Sequence, residues 1–311
     1  MGAALPHPSA RALRRGPRPH LAGSVIAIAC LLTGCTAPPS APADPQPRTP
    51  VATSSTAGAP ATPSGSTAAS TPGSAPASSP GRTTATPKQP GKVLAGRTIV
   101  VDPGHNGRYE KSFNTRQVPA GNGRTKACNS SGTAGKGLSE HAYTWSQAQK
   151  LAAELEQRGA RVLLTRTNDA GLGPCVNKRA QVANDAKADL LISIHADGNE
   201  ARQARGFHII VSTTMAGGSS LEQRSARLAR LARTALAQRT TMPRSNYIGS
   251  GTALSLRSDI ATLNLLTRTP GIMLEMGNMR HPADLALQKS RAFQHQVADA
   301  LANAAQRALT R

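Results

Sequence analysis

After about Lys92 the chain alternates short β-branched runs with longer stretches in which apolar residues recur every three or four positions; before it no such period exists. Residues 98–101, 161–165, 190–194 and 206–212 read as strands, as do 261–266 and 271–275. The 3.6-residue period predicts helices over 140–158, 176–186, 221–239 and 283–308. In the first of these Ala148, Leu151, Ala152 and Leu155 share a face, and Gly159 follows where a helix end favours a positive φ. A loop rich in Gly, Asn, Ser and Thr fills the span from the first strand to Gly137. Strands alternating with helices of these lengths predict a single three-layer α/β domain, a central, mostly parallel β-sheet flanked by helices.

The stretch ahead of that domain has a different build. Arg11, Arg14, Arg15 and Arg18 precede an apolar run over 21–32, too short to span a bilayer as a helix and typical of a secretory signal. Leu32-Thr33-Gly34-Cys35 resembles the bacterial lipobox, which implies cleavage before Cys35 and a diacylglycerol thioether on it. An ordinary signal peptide cut nearby is the alternative, and either way the chain is exported. Residues 35–92 are dominated by Pro, Ser, Thr, Ala and Gly and cannot offset the entropy of ordering, so a disordered tether is expected there. Such a tether reaches between about 40 Å as a coil and about 175 Å as polyproline II. The expected organisation is therefore a signal peptide over 1–34, a linker over 35–92 and one catalytic domain over 93–311, lipid-anchored at the outer face of the cell membrane.

Charge narrows the list of partners. The 311 residues carry a formal charge of +21 and only 2% aromatic residues. With an export signal and no nucleic-acid module, this favours anionic cell-wall polymers or a membrane surface and excludes nucleic acid. Arg224, Arg227, Arg230 and Arg233 form a ridge on the 221–239 helix, either a contact for anionic polymer or a solvated face. Of the four cysteines, Cys30 lies in the signal and Cys35 would carry lipid. Cys128 and Cys175 remain, and an oxidising compartment favours a disulfide between them over two free thiols. A monomer is expected.

Three strand runs end on groups with chemistry: His105 just past Pro103-Gly104, His195 and Glu275. In a parallel sheet all three emerge at the carboxyl edge, where open α/β sheets keep their ligands. Glu140 joins them from the start of a helix. Singly, each has a structural explanation as a turn, strand-end or helix-start residue; together they suit zinc, which takes three protein ligands and leaves a position open for water. Two imidazoles and one carboxylate leave the metal a net positive charge, and a further carboxylate must stand outside as base. Glu140 as ligand with Glu275 as base is one assignment, the reverse is another, and spacing does not choose.

The stretches Val101-Asp102-Pro103-Gly104-His105, Glu140 at its helix start, Val162-Leu163-Leu164-Thr165-Arg166, Arg179 with Ala183-Asn184, Ala188-Asp189-Leu190 through Ser193-Ile194-His195-Ala196, and Met273-Leu274-Glu275-Met276-Gly277 resemble, in order and spacing, the zinc-dependent N-acetylmuramoyl-L-alanine amidases of the AmiC type. The resemblance covers nearly all of 95–309. It implies one Zn2+ per chain on His105, Glu140 and His195, with Glu275 the catalytic carboxylate. The implied substrate is peptidoglycan, cut between N-acetylmuramic acid and the L-alanine of the stem peptide. Alternatives are a non-catalytic peptidoglycan-binding lipoprotein of the same fold and a zinc peptidase acting within the stem peptide. The chain departs from the family pattern at Asn106, usually Gly, at Asn278, usually aromatic, and at Arg280-His281, usually Ser-Asn; Pro282 and Asp284 then resume it. His141 and His281 are expected outside the ligand set, and Arg179 is expected in a buried ion pair.

Overall fold

The protein is described by a computed structural model over residues 92–310. The signal peptide, the lipobox at Cys35 and the linker lie outside the described residues. In chain order the elements are β1 (Thr98–Pro103), α1 (Lys111–Thr115), β2 (Gln117–Gly121), β3 (Arg124–Ala127), β4 (Ala134–Gly135), β5 (Leu138–Ser139), α2 (Glu140–Gln157), β6 (Arg161–Leu164) and α3 (Val176–Asp185). They continue with β7 (Leu190–Asp197), β8 (His208–Ser212), α4 (Gly218–Arg239), β9 (Leu254–Arg257), α5 (Ala261–Asn264), β10 (Gly271–Asn278), α6 (Pro282–Lys289) and α7 (Arg291–Leu309).

Six strands form one sheet in the order β6-β1-β7-β10-β8-β9. The four from β6 to β10 are parallel, β8 runs antiparallel to β10, and β9 is parallel to β8. Because successive strand residues point to opposite faces, the continuous apolar runs are buried twice over. Ile99, Val101, Ile192 and Ile194 pack under α2, α4 and α7 together with Leu151, Leu155, Leu228 and Leu301. Val100, Leu191, Ile210 and Met273 face α3 and α5, meeting Ala180, Ala183 and Leu263. The odd-numbered positions of β7 and β10 that continue this second face are His195 and Glu275.

Three expectations are corrected. Residues 261–266 are not a strand: Ala261–Asn264 is the short helix α5, whose Leu263 fills the second core while the Asn264 side chain bonds Ser212, Ala120 and Ser258. The terminal helix is two helices, because Ser290 takes extended backbone angles (φ −75°, ψ 120°) and its hydroxyl accepts from Phe293 N to begin α7. The loop expected up to Gly137 holds α1, the β2-β3 hairpin and β4, which pairs across Gly137 with β5. Among the described residues no helix is long and apolar enough to cross a membrane.

Candidate metal centre

The turn after β1 carries His105 at φ +60°, a left-handed conformation that costs a non-glycine residue energy. Arg179 of α3 holds it there. Its guanidinium donates to Asp102 Oδ1 and Pro103 O at 2.7 Å, to His105 O at 2.6 Å and to Asn106 Oδ1 at 2.8 Å. Asp102 also accepts from Ser193 Oγ at 2.6 Å and Thr165 Oγ1 at 2.5 Å, tying β1, β7 and the segment after β6 beneath the site. Burial alone would raise the Asp102 carboxyl; the Arg179 charge and the two hydroxyls outweigh it and hold the carboxyl below its ordinary range. The expected buried ion pair of Arg179 therefore exists, and it also fixes the backbone of His105.

The His105 ring is oriented by Ser130, whose carbonyl oxygen lies 3.1 Å from Nδ1. A carbonyl only accepts, so Nδ1 carries the proton and Nε2 turns its lone pair inward. Glu140 enters from the first turn of α2, its carboxylate held by two backbone donors: Thr133 N to Oε2 at 2.9 Å and Ala196 N to Oε1 at 3.0 Å. Burial opposes its charge, yet the two imidazoles facing it, His105 and His195, keep this carboxyl far below the usual range. His195 of β7 presents Nδ1 to the same point, while Gly104 lies so close behind its ring that a Cβ there would fall 2.3 Å from Cε1. Gly132 is confined similarly: an added Cβ would sit 2.8 Å from Glu140 Oε2 and 2.9 Å from the His105 ring. Glycine backbone, not side chains, walls in all three groups.

The three inward atoms form a triangle. His105 Nε2 is 3.0 Å from Glu140 Oε1, His195 Nδ1 is 3.1 Å from the same oxygen, and the two ring nitrogens are 3.1 Å apart. These three residues are the group among the described residues able to hold a metal ion. Tetrahedral zinc with bonds of about 2.0–2.1 Å sets its ligand atoms about 3.3 Å apart. Two nitrogens and a carboxylate oxygen at this spacing, with one tautomer fixed by Ser130, fit that ion.

Glu275 is the neighbour of His195 in the β7-β10 register and lies with all three on one cleft of about 570 Å³. Desolvation first, and then the charges of Glu140 and Asp197, raise its carboxyl well above the ordinary value. Asp197 is anchored by Tyr247, whose hydroxyl donates to Oδ2 at 2.9 Å. Opposite Glu275 on β8 stands His208, whose burial pushes its pKa down to about 4.

The remaining sequence candidates fall outside this cluster. His141 bonds Asp169 at 3.0 Å through Nδ1, and His281 sits at the start of α6 with Nδ1 4.0 Å from Asp284. Cys128 and Cys175 form a disulfide, joining the end of β3 to the start of α3. Ser130, Gly132, Thr133 and Ala196 were not legible as site residues: three of them act through backbone groups, and glycine acts through the Cβ it lacks. Asn106, a departure from the family pattern, is buried with Oδ1 accepting from both Arg179 and Asn129. It extends the clamp on the His105 turn.

A family model described as N-acetylmuramoyl-L-alanine amidase matches residues 99–307. The N-acetylmuramoyl-L-alanine amidase Rv3717 of Mycobacterium tuberculosis is 42% identical over 213 residues, 67% of this chain and 84% of its own length. Among solved structures, the amidase Ami1 of Mycobacterium smegmatis is 40% identical with a TM-score of 0.65, covering 70% of this chain and 98% of its own. Ami1 of Mycobacterium abscessus is 38% identical with the same TM-score, covering 70% of this chain and all of its own.

Proposed function

The chain belongs to the N-acetylmuramoyl-L-alanine amidase family, and on that footing we propose that His105, Glu140 and His195 hold a single zinc ion and that Glu275 carries the proton of the reaction. It is a peptidoglycan amidase, cleaving the amide between N-acetylmuramic acid and the L-alanine of the stem peptide. The observation that carries the metal assignment is the triangle of inward atoms at 3.0–3.1 Å, its carboxylate corner pinned by two backbone donors.

A zinc ion on these three groups supplies a Lewis acid that makes water nucleophilic near neutral pH and stabilises charge on the scissile carbonyl. The chain's own groups do the rest. Ser130 keeps the His105 proton on Nδ1, and the Thr133 and Ala196 amides hold the Glu140 carboxylate pointed inward. Glu275, deep in the cleft, takes a proton from water on a carboxylate oxygen as the oxygen–carbonyl bond forms. It returns that proton to the nitrogen of L-alanine as the carbon–nitrogen bond breaks, leaving a lactyl carboxylate and a free amine. A carboxyl raised by desolvation suits this two-way transfer better than an ordinary one.

The cell-wall reading extends to where the domain works. The lipobox-like 32–35 stretch supports export and lipid attachment at Cys35, with 35–92 separating the anchor from the catalytic domain over 93–311.

The test is digestion of purified peptidoglycan with fragments identified by mass. The full chain should release intact stem peptides with free L-alanine amines, a chelator should stop release, and added zinc should restore it. Cuts within the stem peptide, or undiminished release by metal-free protein, would overturn the reading.

A further inference from the structure

The scissile amide joins two unlike arms: a neutral glycan on one side and, on the other, a peptide that ends in a carboxylate. The surface around the metal centre is unlike in the same way. Toward α5 the cleft wall is made by Val176, Ile260, Ala261 and Met273; of the two cations there, Lys126 donates its ammonium to Asp259 O at 3.0 Å and Arg179 is paired with Asp102. On the other side the cleft reaches Arg280, which also lines a second groove of about 910 Å³ between α6, the β4-β5 turn and the loop after β7. Lys136, Arg202, Arg280 and Lys289 stand around that groove against a single carboxylate, Glu200, over a floor that includes Met279 and Leu285.

Its wall is built, not incidental. Asn278 Nδ2 donates to Asn199 O at 2.9 Å and Ala204 O at 2.7 Å, fixing the loop after β7, and Asn278 Oδ1 accepts from Arg280 N at 3.0 Å. Asn278 and Arg280 are two of the positions where this chain departs from its family's pattern. Arg280 pairs with Glu200 at 2.9 Å, but the two side chains are 46% and 78% exposed. A pair so exposed is weak, and a second carboxylate can take the arginine's fork from it. Among the described residues no carboxylate lies within ion-pair distance of Lys136, Arg202 or Lys289, and of these three the Lys289 ammonium donates to Lys136 O.

We propose that this groove is the subsite for the stem peptide: Arg280, backed by Arg202, binds peptide carboxylates, so the peptide runs over α6 and the glycan over α5. The proposal rests on the amidase reading above and adds the direction in which substrate lies and the charge it must carry.

Calorimetric titration of the full chain tests it with two synthetic tetrapeptides beginning with L-alanine, one bearing free carboxylates and one with every carboxylate converted to carboxamide. The carboxylate form should bind at least tenfold more tightly. Arg280→Ala should remove most of that preference while leaving the amide form unchanged, and Glu200→Gln should tighten the carboxylate form. Equal affinities, no binding of either peptide, or a preference that survives Arg280→Ala would overturn the proposal. Hydrolysis of an intact muramoyl peptide by the same preparation is scored separately. Failure there contradicts the amidase reading, whereas peptide affinity reads the groove whether or not the bond is cut.

Discussion

His105, a proposed zinc ligand, is set by a chain of buried groups beneath it. His105 stays at positive φ because Arg179 bonds its carbonyl, and Arg179 stays because Asp102 neutralises it. Asp102→Asn should therefore destabilise the fold by about 3–5 kcal/mol at pH 7, since it strands a buried guanidinium. The sign of the pH dependence follows from a carboxyl held below its ordinary value of 3.8. Its stabilisation is complete above that value and is lost as pH falls through the lower, folded one. Urea denaturation should thus show the gap between wild type and Asp102→Asn narrowing below about pH 4; a gap independent of pH would contradict the account. At this scale the sequence was informative where side chains carry the chemistry. Glu140 opens α2 and His105 follows β1, while His195 and Glu275 lie in the carboxyl halves of β7 and β10, which run on past the strand ends expected from the sequence to Asp197 and Asn278. It was silent on Ser130, Thr133 and Ala196, whose roles belong to main-chain atoms that every residue possesses.

At the scale of elements, the parallel core β6-β1-β7-β10 was legible because buried strands of Val, Ile and Leu bounded by Gly and Pro leave little choice. The errors fell where a short run fits two periods. Ala261-Thr262-Leu263-Asn264 is as apolar as a strand, but α5 must turn Asn264 inward to bond Ser212, and only tertiary packing shows that. The break between α6 and α7 left a trace, since Ser290 is a good helix-starting residue, but apolar spacing on both sides masked it. β9 also left one, Leu254 and Leu256 alternating with polar neighbours; Leu256 is 70% exposed on this edge strand. The irregular segment from Gly104 to Gly137 supplies much of the site wall, and the Cys128–Cys175 bond joins it to α3. Closing a loop with a sequence separation of 47 residues is worth about 4 kcal/mol in the chain-entropy model. Reduction should lower the denaturant midpoint accordingly and weaken zinc retention, because α3 carries Arg179. Unchanged stability in reductant would show that the disulfide does not brace the site.

For the whole molecule, 30 of the basic residues and 15 of the acidic ones fall after Gly91, so the catalytic domain itself is strongly positive. The ridge on α4 is less free than its spacing suggested. Arg227 donates to Ala308 O, closing the end of α7, and Arg224 donates to Arg268 O. Anionic surroundings still attract such a domain, and a lipid on Cys35 would keep it beside them. Replacing Cys35 with Ser should move the protein from the membrane fraction to the soluble exported fraction with its amidase activity intact; unaltered membrane retention would contradict anchoring there.

In the proposed reaction Glu140 and Glu275, two carboxylates that spacing alone could not assign, divide the labour between them, and metal stoichiometry tests that division most directly. Zinc bound per chain should be one in the wild type and in Glu275→Gln, which nevertheless releases no stem peptide, and should fall to near zero in Glu140→Gln. Zinc retained by Glu140→Gln and lost from Glu275→Gln would reverse the two roles and contradict the account.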